Sequence, residues 1–168
     1  DYYGVVSQAP VSTTFTDVAL TDAFACGLTT TGSIECWGTG FSWLPTPEPP
    51  NTTSNNIALA ANKYAVCALS STGEITCSGY QPNLEVDLAP RGDGFVRLFG
   101  SMGNFCAATG AGELECWGSH VREAGLPSIR GVSFADPVDM QFGEIEVGCL
   151  LDSDGAVYCL ETPRAASY

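Results

Sequence analysis

Cysteine is the residue type in this chain whose number and spacing indicate a chemical role. Eight cysteines occur in 168 residues, and an even number in a short chain is typical of a disulfide framework or of thiolate metal ligands. A zinc site would favour closely spaced ligands, and the single histidine, His120, has no second histidine to join it. We therefore predict disulfides and no metal. The cysteines form four pairs with nine residues inside each: Cys26 and Cys36, Cys67 and Cys77, Cys106 and Cys116, and Cys149 and Cys159.

The four pairs mark an internal repeat with a period of about 40 residues, which is the period of propeller blades and other β arrays. A glycine always lies six residues after the first cysteine, and an aliphatic residue follows two positions later. A short apolar run also precedes each pair and is typical of a strand. These runs are residues 15–20, 57–61, 95–99 and 138–142. Each unit is therefore predicted to contain at least three antiparallel strands.

Each cysteine pair is predicted to staple a β-hairpin. If residues 30–32 form a three-residue loop with Gly32 in the left-handed conformation, Leu28 faces Ile34 and Cys26 faces Cys36. The cysteines then occupy a non-hydrogen-bonded pair, where Cα atoms approach to about 4.5 Å, which is within disulfide reach. The same count holds in all four units, so we expect every bridge to lie within its own hairpin. Each should contribute about 2.5 to 3 kcal/mol on the chain-entropy model.

Three segments carry a family resemblance: ACGLTTTGSIECWG (25–38), VCALSSTGEITCSG (66–79) and FCAATGAGELECWG (105–118). They resemble the regulator of chromosome condensation repeat, in its secreted, disulfide-bearing variant. The resemblance implies an all-β fold with one antiparallel, propeller-like blade per repeat and with rim loops as binding surfaces. Four units imply either a closed four-bladed ring or a partial propeller. The predicted divisions are an N-terminal segment 1–14, repeats 15–44, 56–88, 95–127 and 137–162, and a tail 163–168.

The charge balance restricts the classes of partner. Nineteen acidic and six basic residues give a formal net charge of -13, which opposes binding to nucleic acid or to anionic lipid. No stretch approaches the roughly 18 apolar residues that would span a bilayer, so membrane insertion is not expected. Because disulfides persist in oxidising compartments, we predict an extracellular protein, secreted or on the cell surface.

Catalytic patterns are missing from the sequence. His120 stands alone, the predicted bridges leave no free thiol, and neither a nucleophile elbow nor a phosphate-binding loop occurs. The run from Asp152 to Gly155 resembles the start of a calcium loop but occupies a hairpin turn. The tripeptide Arg91-Gly92-Asp93 has the composition of a tight turn. The chain is therefore predicted not to be an enzyme and to need no cofactor.

Four other features indicate modification or contact. Asn51 begins an N-glycosylation acceptor, Asn51-Thr52-Thr53, in a proline-rich connection. Trp43, Tyr64 and Tyr80 would offer stacking faces to a carbohydrate if exposed.

The N-terminal run of Tyr2, Tyr3, Val5 and Val6 is suited to an extended strand. Such a strand would complete the fourth blade of its own chain or add to the next subunit, giving a homo-oligomer or a filament. The sequence thus predicts a non-catalytic extracellular structural or assembly subunit, self-associating and glycosylated. The alternative is a secreted propeller module that recognises a protein, as an inhibitor or adhesin does, or a glycan, through its rim loops.

Overall fold

The computed structural model describes residues 3–38, 48–50, 55–80, 84–101, 103–118, 136–142 and 147–161. Within these ranges the fold is all-β, with one four-residue helical turn, α1. No helix among them is long and apolar enough to cross a membrane. The elements are β1 (Phe15–Leu20), β2 (Ala25–Thr29), β3 (Ile34–Trp37), β4 (Asn56–Ala61), β5 (Ala65–Ser70), β6 (Ile75–Gly79), α1 (Leu84–Asp87), β7 (Phe95–Ser101), β8 (Asn104–Thr109), β9 (Leu114–Gly118), β10 (Pro137–Phe142), β11 (Val147–Asp152) and β12 (Val157–Glu161).

The strands form four separate three-stranded antiparallel sheets, each in sequence order. We call β1–β3 blade 1, β4–β6 blade 2, β7–β9 blade 3 and β10–β12 blade 4. Each first strand coincides with one of the predicted apolar runs to within two residues. The prediction of three antiparallel strands per repeat is confirmed.

The hairpins have the predicted register. Cys26 pairs with Cys36 and Leu28 with Ile34, and the Thr29 amide donates to the Ser33 carbonyl at 2.9 Å. Gly32 has a φ of 79°, a left-handed conformation that costs glycine little. All four predicted disulfides are present, each with its two Cα atoms 4.0 Å apart.

Every first strand contains a bulge that the sequence did not reveal. In blade 1 the pairing with β2 shifts by one residue between Phe15 and Asp17, and the other three blades shift at the same repeat position. An extra residue in one strand bends that strand and increases its twist. The residue at each bulge is exposed to solvent: Thr16, Ile57, Val96 and Val138.

The hydrophobic core lies between blades. One face of each blade carries its disulfide, and in blades 1 to 3 this face packs on the opposite face of the next blade. We call the two faces the cysteine face and the receiving face. Cys26 of blade 1 packs in one cluster with Val66 of blade 2. A second cluster joins blades 2 and 3, and a third joins blades 3 and 4. Successive blades therefore stabilise one another through three repeated junctions.

The N-terminal segment differs from its prediction. Tyr3, Val5 and Val6 belong to turns, and the Gln8 amide donates to the Gly4 carbonyl at 2.9 Å. The prediction of an extended strand is wrong for these residues because Gly4, with a φ of 70°, turns the chain. Tyr2 lies outside the described residues.

Candidate binding surfaces

Blade 4 exposes a cysteine face. Leu151 pairs with Val157 there, as Leu69 pairs with Ile75 in blade 2. Leu69 and Ile75 are buried against blade 3, whereas Leu151 is 38% and Val157 63% exposed. Among the described residues no blade follows blade 4, so no neighbouring blade covers these side chains. We call this surface the cysteine end face.

Blade 1 exposes a receiving face at the other end of the chain. Val18 is 47% exposed and Leu20 is also exposed, although residues at the position of Val18 are buried in the three later blades: Leu59, Leu98 and Met140. Beside Val18, the Phe15 and Trp37 rings lie 5.5 Å apart between centroids. The corresponding rings of blade 3, Phe95 and Trp117, are buried in the junction with blade 2. We call this surface the receiving end face.

Glycine has a structural role on this face. A methyl group at Gly27 would lie 2.6 Å from Cε1 of Phe15. The missing side chain therefore lets the Phe15 ring lie directly over the sheet.

Two of the three junctions also share a polar contact. The Gly32 carbonyl in the hairpin turn of blade 1 accepts a hydrogen bond from the Asn56 amide of blade 2 at 3.3 Å. In the next junction, the Gly73 carbonyl accepts from the Phe95 amide at 3.4 Å. The third junction has proline, Pro137, at the donor position and so cannot repeat this bond. There the Arg97 guanidinium pairs with the Asp136 carboxylate at 3.5 Å.

The N-terminal segment contacts one edge of the receiving end face. The Trp37 indole Nε1 donates to the Val5 carbonyl at 2.9 Å. This contact lies at β3, an edge strand of blade 1, whereas Val18 lies on β1 at the opposite edge of the same sheet. The N-terminal segment is therefore held by blade 1 of its own chain.

A groove of about 800 Å³ lies beside blade 2, between its hairpin and residues 86–93. Its charged lining residues are Glu74, Asp87, Arg91 and Asp93. Gly92 and Gly94 have positive φ values of 122° and 93°, which agrees with the turn predicted for Arg91-Gly92-Asp93. The groove offers charges of both signs to a polar ligand.

The predicted carbohydrate-stacking residues do not form one surface. Tyr80 is buried, with its ring edge against Phe24 at 5.8 Å between centroids. The expectation that Tyr80 is exposed is wrong because it packs in the junction between blades 1 and 2. Trp43 lies outside the described residues, as do Asn51 and His120.

Tyr64 is partly exposed, but a cation already faces its ring. The Lys63 ammonium lies 5.2 Å from the ring centroid and 3.7 Å from an Asp22 carboxylate oxygen. A hydrogen bond with the Tyr64 side chain raises the pKa of Lys63 above its ordinary value. Tyr64 therefore presents a ring that is already engaged on one side.

The acidic turn of blade 4 is explained by backbone capping. The Asp152 carboxylate accepts from the Asp136 amide at 2.7 Å and from the Ser153 amide at 2.9 Å. Asp154 accepts from the Ala156 amide at 2.9 Å. Among the residues that the structure describes, no group of three or more His, Cys, Asp or Glu side chains is placed to hold a metal ion. These aspartates act as turn residues.

Solved structures share this architecture. The ectodomain of the receptor kinase CR4 from Physcomitrella patens matches with a TM-score of 0.69 and 18% identity, over 93% of this chain and 43% of that chain. Yeast RCC1 (Prp20), solved bound to Kap60, matches with a TM-score of 0.66 and 15% identity, over 88% and 42% respectively. The computationally designed Ika4 protein matches with a TM-score of 0.51 and 12% identity, over 92% and 94%.

The chain spans less than half the length of the two natural structures. No protein-family model and no curated protein sequence matches it. Similarity at these identities establishes the fold. It agrees with the resemblance in the cysteine repeats, with the four three-stranded sheets and with their consecutive junctions. The described residues therefore form four disulfide-bearing blades of the β-propeller fold that these structures share.

Proposed function

We propose that this protein is a non-catalytic extracellular structural subunit that self-associates through the ends of its row of blades. One observation carries the proposal: the same repeat positions are buried at the internal junctions and exposed at the two ends. Val18 and Leu151 are the clearest cases, because their counterparts are buried at all three internal junctions. Val157 is 63% exposed where Ile75 and Leu114 are buried. The four disulfides support an extracellular location, because oxidising compartments preserve such bonds.

Burial of the exposed aliphatic groups would favour association. Fully burying a valine or leucine side chain contributes about 1.5–3 kcal/mol, and Val18, Leu151 and Val157 each retain more than a third of their exposure. Association must also offset the loss of translational and rotational freedom. The internal junctions indicate that matched faces of this repeat pack closely enough to be stable within one chain.

The direct test is the molar mass of the native protein across a concentration series. Sedimentation velocity should show species larger than the 17.6 kDa chain, and their fraction should rise with concentration. A single monomeric species throughout the micromolar range would overturn the proposal.

We include an N-glycan at Asn51 in the proposal. In sequence, the acceptor Asn51-Thr52-Thr53 falls in the proline-rich connection between β3 of blade 1 and β4 of blade 2. Treatment of eukaryotically expressed protein with an N-glycosidase should lower its mass and convert Asn51 to aspartate. Mass spectrometry of an unmodified Asn51 peptide would contradict this part.

A second candidate function is protein binding through the groove beside blade 2. The observation that favours it is the combination of about 800 Å³ of open space with Arg91 among three carboxylates. Peptides selected from a displayed library on the wild-type protein should lose binding to Arg91→Glu. Equal binding to Arg91→Glu would remove the groove as the recognition site.

A further inference from the structure

We infer that a second copy of this chain docks head-to-tail, with the cysteine end face of blade 4 on the receiving end face of blade 1. This inference rests on the proposed self-association and names the surfaces that perform it. The two faces are the two halves of a junction that the chain already builds three times.

The apolar positions of the two end faces match those of an internal junction. Where blade 2 meets blade 3, Leu69 and Ile75 pack with Phe95, Leu98 and Trp117. The same repeat positions at the ends hold apolar residues on both sides, namely Leu151 and Val157 on blade 4, and Phe15, Val18 and Trp37 on blade 1. Each end face therefore finds its complement on the other end of the same chain.

The two end faces also contain both positions of the polar contact that joins successive blades, the acceptor on blade 4 and the donor on blade 1. Gly155 occupies the turn position at which Gly32 and Gly73 accept from the next blade. Phe15 occupies the donor position held by Asn56 and Phe95. A side chain built at Gly155 would meet nothing within 4 Å, whereas one at Gly73 would meet the Phe95 amide nitrogen at 2.8 Å. The space that a following blade would fill is open at Gly155.

The inferred contact is heterologous because two different faces meet. A heterologous contact produces a closed ring if its rotation closes and an open filament if it does not. Two copies would bring eight blades together. Either outcome follows from the same junction, so the junction is tested separately from the final assembly.

The test uses two variants that each disable one face. Val18→Glu places a carboxylate on the receiving end face, and Val157→Glu places one on the cysteine end face. Burying an unpaired carboxylate in an apolar junction costs several kcal/mol, so each variant alone should weaken association at least about 100-fold. Because Val18 is 47% and Val157 63% exposed in the monomer, neither change should prevent folding.

Mixing the two variants provides the decisive measurement. Val18→Glu keeps an intact cysteine end face and Val157→Glu keeps an intact receiving end face, so an equimolar mixture should form dimers with one wild-type junction and nothing larger. Matched controls are Ile57→Glu and Val138→Glu, which alter aliphatic bulge residues that are 54% and 50% exposed. The controls should associate as the wild type does.

The possible failures are distinguishable. Wild-type protein that stays monomeric would overturn both the proposed function and this inference, and would assign the end faces to another protein or to additional blades. Assemblies that persist in both single variants would leave self-association in place but refute the head-to-tail junction. Loss of association in Val157→Glu alone, with no recovery on mixing, would indicate instead that two blade 4 faces meet each other.

Discussion

Two glycines provide a matched test of which blades have a neighbour. Gly73 and Gly155 occupy the same turn position in blades 2 and 4, with nearly equal φ values of 87° and 86°. Substitution by alanine imposes the same local cost at both sites, because a residue with a Cβ atom pays about 1–2 kcal/mol in the left-handed region. Any difference between the two variants must therefore come from their surroundings.

The surroundings differ sharply. An alanine Cβ at position 73 would lie 2.8 Å from the Phe95 amide nitrogen and 2.9 Å from its carbonyl oxygen, whereas one at position 155 meets nothing within 4 Å. Comfortable separations between nonbonded carbon atoms are about 3.5–4.0 Å, so the start of β7 must move away. Overpacking of this kind costs about 1–3 kcal/mol, and the bond from the Phe95 amide to the Gly73 carbonyl is weakened as well.

We therefore expect Gly155→Ala to lower the free energy of unfolding by about 1–2 kcal/mol and Gly73→Ala by at least about 1 kcal/mol more. Urea unfolding of the oxidised protein, followed by tryptophan fluorescence, measures both. Each glycine variant should be made in the Val18→Glu background, so that association does not fill the space at Gly155. Equal losses in the two variants would mean that blade 3 does not constrain the Gly73 turn, contrary to this prediction.

Three further predictions concern the disulfides, the charge and the N-terminal segment. The bridge between Cys149 and Cys159 should be reduced first under mild conditions, because Cys159 is exposed and Cys149 is half-buried, whereas each other bridge has one fully buried cysteine, namely Cys26, Cys67 or Cys106. Differential alkylation with peptide mapping would show this, and earlier loss of any other bridge would contradict it. Each copy carries a net charge of -13, so raising the ionic strength from about 0.01 M to about 1 M should strengthen association. The change shortens the Debye length from about 30 Å to about 3 Å. Weaker association in sedimentation experiments would mean that ion pairs dominate the contact. Trp37→Phe removes the indole donor to the Val5 carbonyl and should lower the free energy of unfolding in urea by about 0.5–1.5 kcal/mol. Deletion of residues 1–7 should leave dimers in place. Conversion to monomers on that deletion would indicate instead that the N-terminal segment adds to the next subunit.

The hairpins were predictable because several constraints in the sequence coincide. Gly32 fixes the turn, Leu28 and Ile34 fix the face, and the cysteine spacing fixes the register. Local sequence was sufficient because every contact in the hairpin lies within about a dozen residues. The bulge at Thr16 was not predicted, since one extra residue in a half-exposed strand barely changes the pattern of alternation.

The surfaces required the three-dimensional structure. Tyr80 follows a strand and gives no local indication of burial, but the neighbouring blade brings Phe24 against its ring. Tyr3 and Val5 have strand propensity, yet the turn at Gly4 and the bond to Trp37 determine their conformation. Val18 and Val157 become notable only when each is compared with its counterparts at the internal junctions. The sequence contains that comparison in its repeats, but it does not show which positions face a neighbour.

Photochemical cross-linking from Val157 would identify directly the surface that blade 4 contacts in another copy. A benzoylphenylalanine at this position, in a mixture of isotopically labelled and unlabelled copies, should form mixed cross-links at concentrations where dimers are present. We expect the linked peptides to fall in blade 1 of the other copy, around Phe15, Val18 and Trp37. Cross-links to blade 4 of the other copy, or none between copies while dimers persist, would contradict it.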